Sequence, residues 1–134
     1  MTKFSPIHVS DLVEIIFKII EQKNQSLTLE CLGPEELTFK EIIQKILLSI
    51  NKKRLLLPLP LALASLSAKF FQLFPKPLLT EDQLRLLKYD NVRSGLYKTN
   101  LDLEIVAKKL FSDEIEKYSF NWRTGGQFAN KLKN

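Results

Sequence analysis

Residues 4–16 read FSPIHVSDLVEII. The first six have the apolar, β-branched character of a short strand, and Asp11 stands where a helix begins. Glu14 follows three residues later, the spacing of a capping box in its Asp form. The run LVEIIFKIIE then leaves polar residues only at 11, 14, 18 and 21, one narrow stripe at helical spacing. A helix with so little polar surface is expected to be buried on most of its circumference. A strand that feeds such a helix belongs to a parallel α/β sheet, and one strand makes no sheet. The rest of the chain has to be read for the missing strands.

A second strand is expected over LTLECL, residues 27–32, closed by the Gly33-Pro34 turn signal. Thr38 with Glu41 forms a capping box. Phe39, Ile42, Ile43, Ile46, Leu47 and Ile50 then follow the i, i+3, i+4, i+7 rule of a helix ending at NKKR. Pro58 and Pro60 make LLLPLP extended, and 61–74 resumes as a helix. Thr80, with Gln83 in the box position, opens a shorter helix running to about Tyr89. Residues 90–100 read as loop, with short helices over 101–111 and 112–119. The apolar run 55–74 is not a membrane span: its 14-residue helix reaches only ~21 Å, against ~30 Å of hydrocarbon. No internal repeat is present.

The 134 residues suffice for one domain with a modest core. The net charge of +5 is uneven. Residues 1–50 carry five Lys against seven acids, and the remainder carries fifteen Lys and Arg against eight acids. The scattered lysines read as a solvated surface and not as a nucleic-acid site. The single cysteine, Cys31, excludes a disulfide framework, fits a reducing compartment and reads as a small core residue. With four glycines there is no G-x-G-x-x-G or Walker loop, and one His and one Cys make no zinc site. His8 has two readings: a ligand-side imidazole at a strand end, or a ring bonded to backbone beneath the next helix. The second is preferred. Asp11 reads as a helix cap before a catalytic acid, and Phe70, Phe71 and Phe74 as core.

FSPIHVSDLVEII resembles the strand–helix segment of extended and atypical short-chain dehydrogenase/reductases. LTLECLGPEELTFKEIIQKI is similar to that family's strand, Gly-Pro turn and helix. The stretch KRLLLPLPLALASLSAKFFQLFPKPLLTEDQLRLLKYDNV and the closing WRTGGQF resemble one branch. That branch holds the NAD(P)H-binding accessory subunit of respiratory complex I, the NADH:ubiquinone oxidoreductase.

The resemblance implies an α/β, helix-rich fold: the final strand–helix elements of a Rossmann-like sheet plus a small, mainly helical C-terminal domain. It implies one substrate-side domain over 1–134, with a Rossmann remnant at 1–33 and a helical part at 34–134. The N-terminal Rossmann half would be missing. Pro6, Ile7, His8 and Val9 would face the substrate or nicotinamide, with Asp11 capping the helix behind them. No Tyr-x-x-x-Lys occurs, so no catalytic, cofactor-binding or metal residue is assigned. NAD(P)H would be bound only by the full-length family.

Two functions follow as expectations. One is a complex I-associated assembly module, non-catalytic alone, cytoplasmic and peripheral at the inner face of the inner membrane. The other is the substrate-binding half of an NAD(P)-dependent epimerase, dehydratase or reductase. The expected partners are a Rossmann-containing chain or respiratory-complex subunits. Exposed edges on strands 4–9 and 27–32 would favour self-association, and no nucleic-acid partner is expected.

Overall fold

A computed structural model describes residues 1–22, 27–57 and 80–126. The protein is α/β, with four α-helices and two small two-stranded sheets among these residues. The expected helix over 61–74, with Phe70, Phe71 and Phe74, lies outside them, as do Pro58 and Pro60. Among the described residues no helix is long and apolar enough to cross a membrane.

The chain divides into two compact units. The larger holds Lys3–Arg54 and the described chain from Asn91 onward. Its first strand, β1, is only Lys3–Phe4 and pairs antiparallel with β3, Leu37–Thr38. β2 is Leu29–Glu30 and pairs in parallel with β4, Lys98–Thr99. Of the strand expected over 4–9 only Phe4 is in β1, and Val9 already opens a helix, while the strand expected over 27–32 is two residues long. The loop reading of 90–100 misses β4, and Phe4 forms a further parallel bridge with Asn91. Among the described residues no larger parallel sheet joins these pairs.

Helix α1 runs Val9–Glu21 with His8 as its N-cap, which corrects the assignment of Asp11 to that position. The His8 ring accepts the Ser10 N–H, so the helix begins three residues earlier than Asp11 as N-cap would allow. Asp11 lies inside the first turn and is buried. Expected burial round most of α1 is also corrected. Asp11 and Ile15 face inward, whereas Val9, Val13, Ile16, Phe17 and Ile20 are all 48–68% exposed. The apolar residues therefore split between two opposite faces.

Helix α2, Phe39–Ser49, carries the expected box in full: Thr38 accepts from Glu41 N, and Glu41 accepts from Thr38 N. It packs on α4, Phe111–Ser119. The expected helix over 101–111 is a single 3-10 turn, Leu101–Leu103, closed by Glu104 in the left-handed region at φ 58°. The chain then runs without helix to Leu110. Among the described residues, Ile15, Leu37, Ile105 and Ala107 form the buried apolar set of this unit. Buried Asn100 joins its parts: its amide accepts from Leu32 N at 2.7 Å and donates to Ile105 O at 2.8 Å. Cys31 is half-buried, and burial pushes its thiol up.

The smaller unit spans Leu55–Asp90, described at 55–57 and 80–90. Helix α3, Glu81–Leu86, has the expected Thr80–Gln83 capping box and ends three residues short of Tyr89. Leu84 is buried.

Candidate functional site

Between the β1–α1 junction and the start of α4 lies a cavity of about 430 Å³. One wall is Pro6, Ile7, His8 and Val9, the four residues placed on the substrate side by the resemblance. The other is Lys109, Leu110, Phe111, Glu114 and Tyr118. The volume suits a small organic molecule, and the lining is mainly apolar with a few polar groups.

The first wall is shaped by helix capping. A backbone N–H can only donate, so His8 Nδ1, 3.2 Å from Ser10 N, is an acceptor. The Ser10 hydroxyl lies 2.8 Å from the same nitrogen. The neutral ring therefore carries its proton on Nε2, which faces Glu114 Oε2 at 3.6 Å. Sequence reasoning considered both a ligand role and a backbone-bonded role for His8, and the ring forms the backbone bond while also lining the cavity.

The second wall is held in place by two carboxylates far away in sequence. Asp11 Oδ2 accepts from Lys108 N at 3.0 Å and Lys109 N at 2.9 Å. Glu35 Oε1 accepts from Phe111 N at 2.8 Å. Phe111 is the first residue of α4, whose N-cap Leu110 has no capping side chain, so Glu35 satisfies an otherwise orphaned donor. Lys45 stands between Glu35, at 3.7 Å, and the Ser112 hydroxyl.

Glu114 is buried on the inner face of α4. Lys117 donates to its Oε1 at 2.6 Å, which with the nearby positive charges holds its carboxyl below the usual range. Its two oxygens thus address Lys117 and His8. Phe111, Glu114 and Tyr118 recur at i, i+3 and i+7, a helical face readable in the sequence. Nothing local indicated that this face meets residues 6–9, because the two walls are a hundred residues apart.

Among the described residues no three His, Cys, Asp or Glu groups could share a metal ion. Gly33, the glycine of the expected turn, is not a phosphate cradle. A Cβ there would lie 1.7 Å from the Pro6 carbonyl oxygen, so the missing side chain makes room for the β1–α1 connection. These residues do not fit a dinucleotide pyrophosphate, which needs open glycine backbone at a helix start. A scan against protein-family models gives no match, and a search of curated proteins gives none.

Proposed function

We propose that this chain is the substrate-side module of a reductase-like protein of the complex I accessory-subunit type, a binding and assembly part that does no chemistry alone. One observation supports the non-catalytic part of this reading: of the ionisable side chains that line the cavity, His8 and Glu114 are engaged by other protein groups. His8 Nδ1 holds the α1 cap and Glu114 pairs with Lys117, while Asp11, outside the lining, holds two backbone amides. A general base needs a free lone pair facing substrate. Complex I itself enters through the sequence resemblance, as does a position peripheral to the inner face of the inner membrane. Tagged chain expressed in its own cells should co-migrate with the peripheral arm of NADH:ubiquinone oxidoreductase on a native gel. Migration only as free chain counts against the assignment.

A second reading is favoured by the cavity itself, with Pro6–Val9 on one wall. In it the chain is the substrate-binding half of an NAD(P)-dependent epimerase, dehydratase or reductase, working with a separate Rossmann-containing chain. That partner would supply Tyr-x-x-x-Lys and the glycine loop. A co-purified partner carrying both motifs, with turnover only in the mixture, would establish it.

A further inference from the structure

The exposed apolar residues of α1 fall on one arc. At 100° per residue, Val9, Val13, Ile16, Phe17 and Ile20 lie within about 100° of one another, opposite buried Asp11 and Ile15. Their exposures are 66, 58, 48, 60 and 68%. Scattered exposed apolar residues are ordinary, but a continuous stripe along three turns marks an interaction surface. Positions 9, 13, 16 and 20 also repeat at spacings of four, three and four, the seam of a two-helix coiled coil.

We propose that this stripe is a homodimer interface, in which α1 of one copy packs antiparallel on α1 of a second. The antiparallel register sets Val9 against the partner's Ile20 and Val13 against the partner's Ile16. Each smaller side chain then meets a larger one, and the helix dipoles oppose. A parallel pairing would stack Val on Val and Ile on Ile with the dipoles aligned. Pairing both stripes removes on the order of 600 Å² of apolar side-chain surface, and about 900 Å² in all with the half-buried flanks Leu12 and Ile19. That is the low end for a specific interface, so the dimer is reversible, with a dissociation constant on the order of micromolar or weaker. The polar flank of the stripe is acid-rich: Glu14 and Glu21 are exposed, and Lys18 is already paired with Glu14 at 3.1 Å. Such a flank disfavours an anionic bilayer, which binds Lys-rich and Arg-rich helices. The proposal does not depend on the function given above.

Sedimentation equilibrium of the full chain across a wide concentration range tests it. The mass should climb from monomer towards dimer, and Val13→Lys with Ile20→Lys should stay monomeric. Both positions are more than half exposed, so the double variant should keep its circular dichroism. In a Cys31→Ser background, mixing Val9→Cys with Ile20→Cys chains should give at least tenfold more oxidative cross-linked dimer than either alone. A wild type monomeric throughout would overturn the proposal. So would association untouched by the lysines, or cross-linking favouring Val9→Cys with itself. Stripe-dependent binding to phosphatidylglycerol vesicles by a chain that never dimerises would assign the face to lipid instead.

Discussion

Gly33 and Asp11 show how single residues set the site. The Gly-Pro turn signal at 33–34 marked the right glycine, but steric room explains it better than turn geometry does. Its backbone N–H meets Ser5 O at 3.4 Å, and Pro6 O occupies the space of a Cβ. Backbone on both sides leaves no flexible side chain to yield. Gly33→Ala should therefore cost about 3 kcal/mol or more in denaturant unfolding, the upper end for overpacking. Asp11 was legible as a structural carboxylate, but its partners were not. Lys108 N and Lys109 N lie 97 and 98 residues away. Asp11→Asn keeps the size and weakens two charge-assisted bonds, so a loss of about 2 kcal/mol is expected. Glu14→Gln, at the exposed i+3 position, should change stability by less than about 0.5 kcal/mol. Equal effects at the two positions would restore the capping-box reading. His8 escaped as a cap because imidazole lies outside the usual Ser, Thr, Asp and Asn set.

Among the elements, the capped helices were the most readable. Thr38–Glu41 and Thr80–Gln83 announce α2 and α3 by chemistry confined to four residues. The strands were not, because a two-residue strand has no period to detect. The pairings β1–β3 and β2–β4 are set by tertiary contact. The same brevity leaves little strand edge for the self-association expected there, and the dimer face proposed above lies on α1 instead. Residues 105–110 look helical by composition, yet Asn100, Asp11 and the left-handed Glu104 hold them otherwise.

Three carboxyls tie elements to pH. Thr38 lowers the Glu41 carboxyl, Thr99 lowers Asp102, and Lys117 lowers Glu114. A carboxyl depressed in the folded state adds stability above its unfolded value and loses it as pH falls through the folded one. Stability should thus be full above about pH 4–5 and decline below. Thr38→Ala should cost about 1 kcal/mol at neutral pH. It should also flatten the acid limb of a pH–stability curve, since Glu41 loses its chief hydrogen-bond partner. An unchanged limb would mean that Glu41 is not a linked group.

At the scale of the whole molecule, the α/β, helix-rich class was readable from patterning, and the small paired sheets were not. Pro6–Val9, singled out by the family resemblance, line one wall of the cavity, while the α4 wall needed three dimensions. Two of the cavity's ionisable groups, His8 and Glu114, are held by other protein groups, and Gly33, outside the lining, is packed against the Pro6 carbonyl. That makes cofactor binding by this chain alone the sharpest point of test. The measurement is a thermal melt by far-ultraviolet circular dichroism, with and without millimolar NADPH. The account predicts one cooperative transition whose midpoint NADPH leaves within about 1 °C, because a ligand that does not bind contributes nothing to stability. A midpoint raised by several degrees in proportion to the logarithm of NADPH concentration would mean that a dinucleotide site exists here. The reading of this chain as a binding and assembly module without a cofactor of its own would then be wrong.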